Sequence, residues 1–173
     1  MHHRLRPSDL TILRGKPHGG RVAHVARAYK LGPARKAVNV VVTALLKAGA
    51  GPRSTYLLTT TGRRTGQPRT TPVTLVQGSS GRWLVSPYGT VAWVWNLRAA
   101  PVVELRRGRR RERLQAEEVG PDAAGPVLRQ YARSVPVTRP YFDASPGDPE
   151  AAFAAEAARH PVFRLTPTSA DQH

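Results

Sequence analysis

With 173 residues, 40% of them hydrophobic, and a formal net charge of +16, the chain can bury one domain core and is biased toward anionic partners. It has no cysteine, which excludes disulfides, thiolate metal sites, cysteine nucleophiles and cysteine-ligated iron–sulfur clusters. No apolar stretch reaches the ~18–20 residues of a membrane-spanning helix; the longest, 37–46, is interrupted by Asn39 and Thr43.

The charge is unevenly distributed. Residues 1–36 carry nine Lys/Arg against one acid, and 53–113 carry twelve against two, whereas 114–173 hold five basic groups and eight acids. Nucleic acid, anionic lipid and a polyanionic cofactor all answer to such a field, so charge alone does not choose among them. The start, Met1 to Arg4, lacks the order of a secretory signal, which makes a cytoplasmic protein the expectation. The histidines at 2, 3, 18, 24, 160 and 173 are scattered without metal-ligand spacing, and no metal is expected.

In chain order, residues 1–32 mix Pro, Gly, His and Arg without a sustained period and read as a flexible basic arm. Residues 33–173 read as a single domain. A helix is expected over 33–48, with Pro33 in its first turn and Gly49 and Gly51 as its exit. Residues 54–61 are rich in β-branched and aromatic types and predict a strand. A Gly-containing turn over 62–66, an alternating strand over 69–77, a turn over 78–81 and a short strand over 83–86 follow. A helix over 90–100 is expected, capped by Thr90 and stopped by Pro101. Residues 102–119 predict a hairpin turning near Gly108, and 121–134 a second helix. A Pro-rich loop over 136–149, an Ala-rich helix over 150–159 and a final strand over 161–165 complete the chain. Short antiparallel strands interrupted by helices imply an α+β fold.

The most informative segment is the run 57–73, in which Gly62 and Gly66 bracket Arg63, Arg64 and Thr65 between two strands. Such a turn exposes backbone N–H groups, and guanidinium can grip phosphate through two parallel hydrogen bonds. A phosphate cradle and a solvated basic hairpin turn both fit these residues.

This segment resembles the signature of the deazaflavin-dependent nitroreductase family, where a Thr-Thr-Thr-Gly-Arg-Lys/Arg-Ser/Thr-Gly stretch runs into Gln-Pro-Arg. Residues 85–89, Val-Ser-Pro-Tyr-Gly, are similar to the family's loop beside the cofactor ring. Residues 93–101 resemble its Trp-x-x-Asn-Leu helix. The resemblance covers about 33–120 and the closing 161–165. It implies a split β-barrel with flanking helices that binds coenzyme F420, a deazaflavin bearing a phosphate and an oligoglutamate tail. Carried over, Arg63, Arg64 and Arg69 take the phosphate end, with Thr65, Gly66 and Gln67 adding contacts. Thr71, Pro72 and Val73, with Val85, Ser86, Pro87, Tyr88 and Gly89, line the ring and its ribityl chain. Trp93 and Asn96 share one helical face toward the cleft. Trp95 is expected in the core.

The resemblance further implies hydride transfer from reduced deazaflavin to a small-molecule electron acceptor. A quinone or activated C=C bond is preferred over a nitro compound, because the chain has only Tyr131 and Tyr141 where nitroreducing members carry a tyrosine cluster. Tyr141 and Tyr88 are the candidate proton donors. Specificity is expected in the 33–48 helix, Tyr88 and the surroundings of Tyr131 and Tyr141. Three alternatives stay open: FMN as the cofactor of the same fold, a basic nucleic-acid- or polyanion-binding protein, and peripheral association of the arm and the 33–48 helix with anionic membrane. Six arginines in 106–113 favour a solvated hairpin tip, since no aromatic residue interleaves with them to stack on bases, and no specific nucleic acid is expected. The chain is expected to be a monomer or homodimer.

Overall fold

The computed structural model describes residues 50–168. The arm expected over 1–32 and the helix over 33–48 lie outside them. Six strands, β1 (Thr55–Thr61), β2 (Pro68–Gly78), β3 (Gly81–Val85), β4 (Val102–Arg107), β5 (Arg110–Glu118) and β6 (Val162–Pro167), close into an antiparallel barrel of order β1-β2-β3-β6-β5-β4. Helices α1 (Ala92–Ala99), α2 (Pro121–Ser134) and α3 (Glu150–Ala154) flank it, and a 3₁₀ turn, Pro136–Tyr141, follows α2. The architecture is the α+β split barrel expected.

β2 is the longest strand because it serves two neighbours. Its first half pairs with β1, from Thr61 against Pro68 to Thr55 against Thr74, and its second half with β3, from Leu75 against Leu84 to Gly78 against Gly81. Pairing of β1 with β4 removes the last free edge.

Two apolar cores follow from which strand faces are covered. Inside the barrel, Leu58, Leu75, Leu84, Val103, Leu105, Leu114, Phe163 and Leu165 pack together, and α1 plugs one end with Val94 and Leu97. Outside it, α2 and α3 lay Val127, Leu128, Tyr131 and Phe153 over Val76, Trp83, Val85 and Val162. β3 therefore reads as a continuous apolar run, Trp83-Leu84-Val85, buried on both faces, whereas β4 alternates buried Val103 and Leu105 with partly exposed neighbours.

Three local expectations are corrected. Thr90 does not cap α1; the cap residue is Val91, extended and without a side-chain hydrogen bond, so the helix starts at Ala92. The Ala-rich helix ends at Ala154, not Arg159. Beyond it the chain tightens into i→i+3 bonds, Glu156 N–H to Phe153 and Arg159 N–H to Glu156, which point the Glu156 carboxylate at the N–H groups of Asp143 and Ala144. The segment 136–149 is not all loop, because Thr138, buried, bonds the Val135 carbonyl through both N–H and hydroxyl and closes the 3₁₀ turn.

The approach of α2 to α3 is tight at Gly125, where an added Cβ would stand 2.8 Å from the Glu150 carbonyl oxygen and 3.1 Å from the Ala154 Cβ. Gly125→Ala is expected to destabilise the fold by about 1–3 kcal/mol despite the roughly 1 kcal/mol by which alanine favours a helix. Urea unfolding checks this; a stabilised variant would show that the two helices separate freely.

Candidate functional site

A cleft of about 820 Å³ opens on the barrel's flank between the turn after β1, the middle of β2, the loop after β3, α1, and the end of α2 with its 3₁₀ extension. That volume lies within the usual range for small-molecule sites.

Its basic end is built by the turn over 62–67. The Thr65 and Gly66 N–H groups both bond the Gly62 carbonyl, at 3.2 and 2.7 Å, and the Gly62 N–H bonds the Gln67 carbonyl at 2.8 Å. Gly66 takes φ +67°, a left-handed conformation that glycine adopts without strain. Gly62 must be small, because a Cβ there would come within 2.9 Å of the Gln67 oxygen. The turn delivers Arg64 and Thr65 to the cleft wall, and Arg69 enters from the start of β2. The other arginines of this half of the barrel are largely engaged: Arg82 with Glu112, Arg98 with Glu118, and Arg111 with Glu104. Among the described residues neither Arg64 nor Arg69 has an acidic partner. Two arginines lining one cleft without a counter-charge among the described residues raise the local anion concentration.

The opposite end is apolar. Thr71, Pro72 and Val73 of β2, Val85 at the end of β3, and Ser86 and Pro87 after it form the floor, with Trp93 of α1 as one wall and Tyr88 as another. Trp93 also packs on the barrel core and meets Phe163 at a ring separation of 5.7 Å. Tyr88 is held edge-on by Tyr141, with ring centroids 4.8 Å apart. Ser86 steadies its own loop, its hydroxyl donating to the Gly89 carbonyl and its N–H to Pro161.

Of the sequence-predicted site residues, Arg64, Thr65, Arg69, Thr71, Pro72, Val73, Val85, Ser86, Pro87, Tyr88, Trp93 and Asn96 line one cleft. Arg63, Gly66, Gln67, Gly89 and Tyr141 do not reach its surface. The Arg63 guanidinium lies 5.3 Å over the ring of Trp95, and Arg98 lies over the same ring at 5.1 Å. Trp95 is consequently 45% exposed instead of in the core, since it projects from the outer face of α1. Asn96 is buried, accepting from the Arg63 N–H and donating to the Thr60 hydroxyl.

Among the lining residues that sequence reasoning missed are Thr60, Val91, Val135, Val137 and Thr138. Thr60 stands two positions before the motif's first glycine and was within reach of the same reading. The other four come to the cleft by tertiary packing, for which no local signal exists. Tyr131, expected in the specificity region, also lines the cleft; burial first, and then nearby Tyr88, pushes its phenol well above the ordinary tyrosine value, so it stays a neutral hydroxyl.

Behind the 86–89 loop, His160 is buried against Phe142, ring centroids 4.3 Å apart, with Nε2 3.3 Å from Glu156. Burial pushes its imidazole below the ordinary value; the Glu156 carboxylate opposes that shift and Arg159 adds to it.

A six-stranded antiparallel barrel closed in this order, with a cleft on its flank, is a split β-barrel. The chain belongs to the F420H(2)-dependent quinone reductase family, whose model matches residues 33–143. It is thus an oxidoreductase of an F420-dependent family that passes hydride to a quinone-type acceptor. Among solved structures, a domain-swapped dimer is similar over 78% of this chain and 100% of its own, with 19% identity and a TM-score of 0.52, which supports the fold. An F420-H2-dependent reductase (FDR-A) matches over 66% of this chain and 95% of its own, at 20% identity and a TM-score of 0.48. HutZ, a haem storage protein from Vibrio cholerae, matches over 68% and 83%, at 17% identity and a TM-score of 0.49. No curated protein matches the sequence significantly. Among the described residues no helix is long and apolar enough to cross a membrane.

A histidine held neutral in the fold takes up its proton more readily once unfolded. The His160 contribution is therefore fully present above the ordinary imidazole value of about 6.5 and is lost as pH falls below it. Stability measured from about pH 7.5 down to about pH 5 is expected to fall less steeply in His160→Gln than in the parent. Parallel curves would contradict this.

Proposed function

We propose that the cleft holds coenzyme F420 with its anionic end on Arg64, Arg69 and the Thr65 hydroxyl, and its ring over the floor formed by Val73, Val85 and Pro87. The observation that carries this reading is a cleft with two guanidiniums at one end, free of acidic partners among the described residues, and a mostly apolar floor at the other. The residues fit the group: guanidinium suits phosphate and carboxylate, and a β-branched and proline floor suits a flat ring.

When bound, reduced F420 supplies a hydride to an electrophilic acceptor, and the protein supplies position and electrostatics. Trp93 and Tyr88 define the space left for that acceptor, a planar, mostly apolar molecule such as a quinone. Val137, 75% exposed at the mouth, offers it an apolar edge. The Tyr88 hydroxyl gives the proton that completes reduction, with Tyr141 fixing the Tyr88 ring from outside. Tyr131, kept neutral by burial, donates a hydrogen bond without becoming an anion beside the site.

Arg64→Ala and Arg69→Ala are each expected to weaken F420 binding by roughly 1.5–3 kcal/mol, with a shallower dependence on salt than the parent. Titrations with F420 and with FMN check this together. Preference for FMN would move the chain to a flavin ligand, and unaltered affinity in both variants would remove the basic end from the site. Tyr88→Phe is expected to lower kcat for menadione reduction more than Tyr141→Phe, with cofactor affinity unchanged; equal effects would displace Tyr88 as the donor.

A further inference from the structure

We infer that Asn96 and Thr60 form a positioning relay that ties the two ends of the basic turn together, so that Arg64 and Arg69 converge on one anion while the Arg63 guanidinium is held outside. The inference rests on the reading of the cleft as the cofactor site and assigns a different role to residues on its rim.

The relay runs through three contacts, of which the last is long. The Arg63 N–H donates to Asn96 Oδ1 at 3.1 Å, Asn96 Nδ2 donates to Thr60 Oγ1 at 3.1 Å, and the Thr60 hydroxyl donates to the Arg69 carbonyl at 3.5 Å. Asn96 and Thr60 are 7% and 2% exposed, so water competes little for these bonds and their loss would strand buried polar groups. The path starts one residue before Arg64 and ends on Arg69, which are the two acid-free cations of the cleft. Thr60 and Arg69 are also register partners in the β1–β2 ladder, so the relay's last link reinforces a strand pair.

The neighbouring position of α1 holds the other part of Arg63. Trp95 is one residue from Asn96, about 100° around the helix, and its exposed ring carries the Arg63 guanidinium on one contact and Arg98 on another. Arg98 is in turn fixed by two hydrogen bonds to Glu118, at 2.7 and 2.6 Å. One helix thus grips Arg63 by its backbone from inside and by its side chain from outside. The spacing between Arg64 and Arg69 is set before any ligand arrives, which lowers the ordering cost of binding.

Two measurements test this. Hydrogen exchange of the Arg63 amide in the ligand-free protein is expected to speed up about tenfold or more in Asn96→Ala, and to stay slow in Asn96→Asp, which keeps the acceptor oxygen. Unchanged exchange in Asn96→Ala overturns the relay. F420 affinity is expected to drop about tenfold in Asn96→Ala, but less than about threefold when the same change is made in an Arg64→Ala, Arg69→Ala background. A drop by the same factor in both backgrounds means that Asn96 touches the ligand itself or loosens the fold generally, and also overturns the relay. Thr60→Val, which keeps the shape and removes the hydroxyl, is expected to reproduce the affinity loss and its coupling to the arginines even if Asn96→Ala does not fold; independence from them overturns the relay. Arg63→Ala is expected to cost less affinity than Arg64→Ala. If the parent protein binds no F420, the cofactor reading fails, while the exchange measurement still decides the relay.

Discussion

Closure of the barrel by β1 against β4 constrains everything that follows along the chain. Once β1 is hydrogen-bonded on both edges, its end at Thr61 is fixed, and the turn that leads to β2 must stand at the rim where α1 plugs the barrel. The turn therefore meets the middle of α1, although 33 residues separate Arg63 from Asn96. The cleft depends on that closure, because its floor takes in Thr71, Pro72 and Val73, the part of β2 that β1 holds in register.

Electrostatics then separate residues that look alike in sequence. Twenty-seven basic side chains give the chain its field, but the described ones differ sharply in what they do. At the β4–β5 hairpin, Arg107 bonds the carbonyls of Gly51 and Pro52, Arg106 bonds Gly108, and Arg110 and Arg111 face Glu112 and Glu104. Those arginines tie local backbone and acids, and each such exposed pair stabilises by only about 0–1 kcal/mol. Among the described residues no acid pairs with Arg64 or Arg69, and the proposed cofactor site rests on that difference. In the proposed site the hydrogen-bonded frame behind them supplies the geometry, and the two cations supply the attraction.

Much of this was legible in the chain itself. Threonine-rich β1, the two glycines of the turn and the alternation through β2 mark a hairpin with a basic tip, and helix α2 is bounded as its pattern predicts by Pro121 and Ser134. Resemblance of the 57–73 and 93–101 segments to a deazaflavin-using family carried the functional reading. Illegible were those features that depend on packing at a distance. Whether Trp95 faces in or out depends on where the barrel lies relative to α1, and an amphipathic pattern of eight residues with two tryptophans does not decide it. Arg63 and Arg64 are adjacent in sequence, yet one rests on an exposed indole and the other lines the cleft, a division set by the turn's hydrogen bonds. The early end of α3 reflects a carboxylate recruited by a loop a dozen residues upstream, which no local propensity records.

The central claim is that the cofactor's anionic end, held by Arg64 and Arg69, supplies most of the affinity. Equilibrium binding of intact F420 alongside its deazaflavin ring fragment without phosphate or tail tests it most directly. The account predicts that the fragment binds at least about tenfold more weakly and with little response to salt, whereas F420 affinity falls steeply as salt rises. Equal affinity of the two, insensitive to salt, would contradict it.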